Sequence, residues 1–162
     1  MNPDSAATNQ KPIVGVGVVI LRPGTPGPDV LLIQRGKAPR AGEWSIPGGR
    51  QEWGETLMET AHREIREETG LTITNLRLID VVDGLMRGAG GDLERHLTLV
   101  NYLAEPTGGT LAAGDDAIDA RWVPLADILK YGLWRETTRI IRAGAAMAEA
   151  PSEAIAPPTA GT

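Results

Sequence analysis

Glu64, Glu67 and Glu68 stand at positions i, i+3 and i+4. On a helix, at about 100° per residue, that spacing puts three carboxylates on one stripe. Leu57, Ala61 and Ile65 form an apolar stripe beside it, with Met58 at its margin, and Glu59, His62, Arg63 and Arg66 take the rest of the circumference. Such a helix can lay its apolar edge on a sheet and hang the carboxylates over an adjoining cleft. Like charges four residues apart repel, so something positive belongs between them. A hard divalent cation with oxygen ligands, chiefly Mg²⁺ with Mn²⁺ as a substitute, is the chemical answer. The competing reading is a solvated acidic face that holds no ligand.

The flanks of the stretch favour a positioned helix over a merely charged one. Pro47, Gly48 and Gly49 make a turn just ahead of it. Gly70 follows Thr69 where a glycine cap belongs, and Leu71 resumes the apolar pattern.

The chain around this stretch has 162 residues, enough for one domain with a sizeable core. The expected layout is a flexible arm over 1–11, a folded domain over 12–148 and a disordered tail over 149–162. A net charge of −5 leaves no footprint for a nucleic-acid polymer. Small anionic substrates stay open, because a bound metal inverts the local sign. Cysteine is absent, which excludes disulfides, thiolate nucleophiles and zinc–thiolate sites. Phe is absent as well, so the core must come from Val, Ile, Leu, Ala and four Trp. The first residues carry no apolar signal segment and no 18-residue apolar run occurs, so a cytoplasmic protein without membrane contact is expected.

Residues 13–21 are a nearly continuous β-branched run and read as a buried strand. A Pro- and Gly-dense loop over 22–29 leads to a second strand at 30–34, antiparallel to the first if the loop is a hairpin. Residues 76–82 read as a strand, 83–94 as a Gly-rich mobile loop over the cleft, and 95–104 as an alternating strand. A loop over 106–114 and a short strand at 119–123 follow. A helical stretch starts at Pro124 and breaks near Gly132, and a last helix spans 134–148.

The central stretch resembles the Nudix box. That pattern specifies Gly49, Glu55, Arg63, Glu64, an aliphatic at Ile65, Glu67, Glu68, Gly70 and an aliphatic at Leu71, and the chain departs from it nowhere. Weaker similarity to Nudix domains runs from about Pro12 to Ile141. The resemblance implies an α/β fold, an α/β/α sandwich around a mixed sheet. It also implies metal-dependent hydrolysis of a diphosphate linkage in a nucleoside diphosphate joined to another moiety. Glu64 and Glu68 are then the leading metal ligands, with Glu67 third and the Gly48 carbonyl contributing from the loop. Glu55 and Arg63 are expected to form a salt bridge that holds the box loop and orients Glu64.

The resemblance leaves the general base open among Glu67, Glu68 and Asp116. Similar proteins carry a glutamate six residues ahead of the tryptophan, where this chain has Asp116, one methylene shorter. A solvated loop carboxylate is the alternative for Asp116. Arg35, at a strand end, matches an arginine that pairs with phosphate in similar domains; a plain surface cation is its alternative. Arg40 is a phosphate or lid contact on the same terms. The whole chain is closest in impression to members acting on ADP-ribose, releasing AMP and ribose 5-phosphate. The proline that marks one such class is replaced by Leu85 and Met86. A pool-cleaning hydrolase of damaged (deoxy)nucleoside triphosphates is the near rival, and a non-catalytic nucleotide-sugar sensor is the third reading. Trp44 and Trp122 are candidates to stack on a base or to sit in the core. Homodimers are common among similar proteins.

Overall fold

The structure, a computed structural model, describes residues 11–38, 40–114 and 116–150. The expected arm and tail fall outside the described residues except for Lys11, Glu149 and Ala150. Among the described residues, seven strands and two α-helices are arranged about a mixed sheet. Strand β1 (Ile13–Arg22) is its spine. On one side β1 runs parallel to β6 (Leu93–Gly109), which pairs antiparallel with β5 (Leu71–Arg87) at the sheet edge. On its other side β1 pairs antiparallel with β4 (Gly48–Arg50) through its first half. At its far end it meets β2 (Asp29–Arg35), also antiparallel. Strand β2 in turn pairs with β3 (Trp44–Ser45) and β7 (Ala117–Pro124).

The period-two alternation of β1 divides the core. Val16, Val18 and Ile20 pack under α1 (Leu57–Thr69) with Ala61, Ile65 and Tyr102. Val19 and Leu21 face the opposite layer, where Ile140 and Ile141 of α2 (Arg135–Glu149) meet Leu103 and Val123. Helices on both faces of one sheet make the expected sandwich. A 3₁₀ helix (Leu125–Tyr131) ends at Gly132, in left-handed geometry with φ 61°, and so breaks the helical stretch where glycine was expected to.

Two segments differ from their sequence expectation. Residues 83–94 are mostly strand: β5 continues to Arg87, pairs with Leu93, and only a tight turn remains at the tip. The glycines were misleading, since Gly84 sits within the strand opposite Leu97. The segment after residue 106 is likewise strand as far as Gly109. Among the described residues, no helix is long and apolar enough to cross a membrane.

Helix α1 is fixed at both ends. Thr56 accepts from the Glu59 N–H while the Glu59 side chain accepts from the Thr56 N–H, a reciprocal cap. Gly70, at φ 71°, closes the other end. Beyond it the segment after β6 satisfies two further carbonyls: Ala112 N–H donates to Thr69 and Gly114 N–H to Glu68, each at 3.0 Å. Burial matters more to this helix than its caps. Ile65→Ala, at a fully buried site, should cost about 2–5 kcal/mol, against about 1 kcal/mol for Thr56→Ala. Urea unfolding of the two variants checks that order.

Candidate functional site

The acidic stripe of α1 splits in two directions. Glu68 turns inward, is 7% exposed, and accepts a hydrogen bond from the Gly48 N–H at 2.8 Å. Glu64 also turns toward β4 and lies against Gly49: a Cβ on Gly49 would sit 2.2 Å from the carboxylate. Glu67 points outward and is exposed. The helix can press this close only because β4 opens with two glycines. Gly48 has φ 151°, and a Cβ there would meet the Val16 carbonyl at 2.0 Å. Gly48 pairs with Gly17 between two hydrogen-bonded residue pairs of the β1–β4 ladder, so its N–H is turned from β1 toward α1.

Arg63 supplies positive charge within the stripe. Its Nε donates to Glu55 at 2.6 Å and its Nη2 to the same carboxylate at 2.9 Å, a bidentate pair. Its Nη1 reaches Glu64 at 2.7 Å and Glu67 at 3.3 Å, and its Nη2 also donates to the Arg50 carbonyl at 3.0 Å. One guanidinium thus ties the box loop, β4 and two acidic side chains together. Helical position alone put Arg63 on the outward arc; its length lets it fold back.

Asp116 is brought to the same place by the segment that closes α1. The Gly36 N–H donates to its carbonyl at 2.8 Å, and its carboxylate pairs with Lys37. Its charge reaches both Glu64 and Glu68. Asp115 lies outside the described residues.

Arg35 ends β2 beside these groups, and its charge acts on Glu68. Its Nε is buried without a hydrogen-bond partner among the described residues. With Arg40, Arg50 and Arg95 it lines a cavity between the sheet and α2, in a chain whose net charge is negative. Gly48 and Gly49 form the rim shared by the cavity and the carboxylates. Arg40 is also held by Glu43 at 2.6 Å and lies 5.8 Å from the Trp134 ring centroid. Arg50, Arg95 and Trp134 had no sequence assignment. Arg95 had a usable signal, since it shares the alternating face of β6 with Leu97, Leu99 and Asn101. Trp44 packs edge-on against Tyr131 at 5.1 Å, and Trp122 packs against the core under α1. Neither lines the cavity.

The electrostatics follow burial. Desolvation is the main cause that pushes Glu68 up to about 7; the charges of Glu64 and Asp116 add to it, and the Gly48 N–H and Arg35 oppose it. Desolvation also raises Glu64, against the pull of Arg63. Glu55 runs the other way, held down at about 2 chiefly by Arg63. Among the described residues, no three His, Cys, Asp or Glu side chains gather closely enough to enclose a metal ion. The donor set nonetheless suits a hard divalent cation: two desolvated carboxylates, the charge of Glu64 raising the proton affinity of Glu68, and a third one side chain away on Arg63.

The chain is similar to known proteins over most of its length. The NUDIX domain family profile matches residues 11–143. The chain is 39% identical over 100 residues to 8-oxo-dGDP phosphatase NUDT18 of Mus musculus, a match covering 59% of this chain and 28% of that protein. It is 38% identical over 107 residues to ADP-ribose pyrophosphatase of Methanocaldococcus jannaschii, covering 66% of this chain and 61% of that one. The match thus spans less than two thirds of the length of either relative. The crystal structure of the MutT NUDIX hydrolase from Burkholderia pseudomallei superposes with a TM-score of 0.70 at 32% identity, over 83% of this chain and 98% of that one.

Glu68 keeps its proton in the metal-free fold after the unfolded chain has released it near 4.5. Its contribution to stability is complete below that value and is lost as pH rises through about 7. With a chelator present, the unfolding free energy should therefore fall between pH 5 and pH 8, by at most about 3 kcal/mol. Glu68→Gln should flatten that slope, and urea titrations at the two pH values measure it. Glu55 acts in reverse, stabilising above its unfolded value and ceasing to do so as pH falls toward about 2.

Proposed function

The chain belongs to the Nudix hydrolase family, and from that premise we propose that it hydrolyses the diphosphate linkage of a nucleoside diphosphate joined to a further group, with ADP-ribose as the first candidate. One observation carries the reading: a row of buried and half-buried carboxylates meets, across Gly48 and Gly49, a cavity lined by four arginines. A diphosphate placed over that rim faces metal-binding oxygens on one side and guanidinium groups on the other.

Members of the family generally use divalent metal ions. Here Glu64 and Glu68 would hold one, with Glu67 and the Gly48 carbonyl as further ligands, and Mg²⁺ is the ion proposed. When bound, such an ion neutralises phosphate charge and makes water a better nucleophile. Glu55 and Arg63 act on placement, clamping the box loop so that Glu64 cannot swing away from β4. The unpartnered Nε of Arg35 suits a phosphate oxygen, and Arg40 stands at the same mouth. Three carboxylates can take the proton from the attacking water. Glu68 has the proton affinity nearest neutrality, while Glu67 and Asp116 are open to solvent.

The relationship to an 8-oxo-dGDP phosphatase favours a second substrate class, oxidised purine nucleotides. Release of monophosphate with Mg²⁺ from a panel of ADP-ribose, sugar nucleotides and (deoxy)nucleoside di- and triphosphates tests both. No turnover on the whole panel, together with tight binding of one member, would make the protein a sensor instead. Glu68→Gln should lower turnover by several orders of magnitude and leave the circular dichroism spectrum unchanged. Unaltered rates would remove the metal-site assignment. Arg35→Ala should raise KM more than it lowers kcat.

A further inference from the structure

The cavity beside the arginines exists because the face of β1 turned to α2 carries no side chain at Gly15 and Gly17. On that same face the neighbouring β6 carries Leu97 and Leu99, with Val82 on β5 beyond it. The floor is therefore flat and apolar, with Ile140 of α2 also lining the space. A sugar phosphate would set its hydroxyls against this surface; a planar base would not.

One polar side chain interrupts the floor. Asn101 is 5% exposed. Its amide nitrogen donates to the Leu99 carbonyl at 3.1 Å and the Asp80 carbonyl at 3.4 Å. Those two acceptors fix the orientation of the amide, because the flipped form would set oxygen against oxygen. Its Oδ1 is then turned to the open space over Gly17, where an added Cβ would lie 2.5 Å from it. Both donors of the amide are engaged with backbone, so the side chain offers the cavity an acceptor and nothing else.

We propose that Asn101 is a specificity-determining residue, its Oδ1 accepting from the exocyclic amino group of a 6-aminopurine seated on the glycine floor. The inference rests on the proposed diphosphate hydrolysis and deepens it, by naming the residue that reads the base. A 6-keto purine in the same orientation sets oxygen against oxygen, and an unsubstituted purine leaves Oδ1 buried without a donor.

The test compares ADP-ribose with its hypoxanthine and unsubstituted-purine counterparts; the second differs only at position 6 of the base, and the first also carries a proton on N1. The 6-amino form should be favoured in kcat/KM by roughly tenfold to a hundredfold over both. In Asn101→Leu that ratio should collapse toward one. A ratio taken within one protein does not depend on how much of it is folded. Should the variant not fold at all, the comparison on the unmodified chain still decides. Equal rates, a keto preference, or a preference that survives Asn101→Leu would overturn the proposal. Calorimetric binding of AMP against IMP, with chelator present, asks the same question without turnover. Absence of hydrolysis on every scaffold would thus retire the proposed activity alone, whereas equal or undetectable affinities would retire this inference.

Discussion

Two like-charged carboxylates forced out of water against a strand edge are the constraint on which the site is built. Removing a single carboxylate from water is costly, and a second at i+4 adds repulsion. The fold meets this with a hydrogen bond from the Gly48 N–H, the guanidinium of Arg63 on Glu64 and the charge of Arg35 on Glu68. These do not suffice to hold Glu68 near its ordinary acidity. A helix face in this condition gains from any cation that enters, which makes the apolar packing of Ala61 and Ile65 part of the chemistry. Their burial in the core pins the carboxylates where water cannot reach them freely.

The same strand that α1 packs against also separates two functions. Towards α1, β1 presents valines and isoleucine that seat the helix. Towards α2 it presents Gly15 and Gly17 ahead of Val19, and the glycines leave room. Strand β4 crosses from one environment to the other at Gly48 and Gly49, so the reacting groups and the recognition cavity share a backbone edge. Loop segments complete the arrangement. The stretch between β6 and β7 caps α1 through Ala112 and Gly114 and carries Asp116 to the carboxylates in passing.

What could be read in advance was mostly local. The acidic stripe, the apolar stripe and the cap at Gly70 lie within one helix, and each depends on neighbours three or four residues apart. The Nudix pattern adds positions that local physics alone would leave unassigned, such as Glu55. Contacts made by long side chains between elements were harder: the reach of Arg63 to the Arg50 carbonyl has no periodic signature. The gathering of Arg35, Arg50 and Arg95 depends on β2, β4 and β6 coming together, and no spacing within any one strand encodes it. Glycine misled in two directions. In β5 it suggested a loop where Gly84 is simply inward-facing strand, and in β1 two glycines drew no comment within a β-branched run although they are the floor of the cavity.

That floor gives the strand a parity. Because successive residues of β1 face opposite layers, a slip of one position against β6 would exchange its faces wholesale. Valines would then plug the space beside α2, and glycines would hollow out the packing beneath α1. Misregistered chains would lose their ligand-accepting hollow and their helix seat in one stroke, so any selection for folding correctly polices the binding shape at the same time.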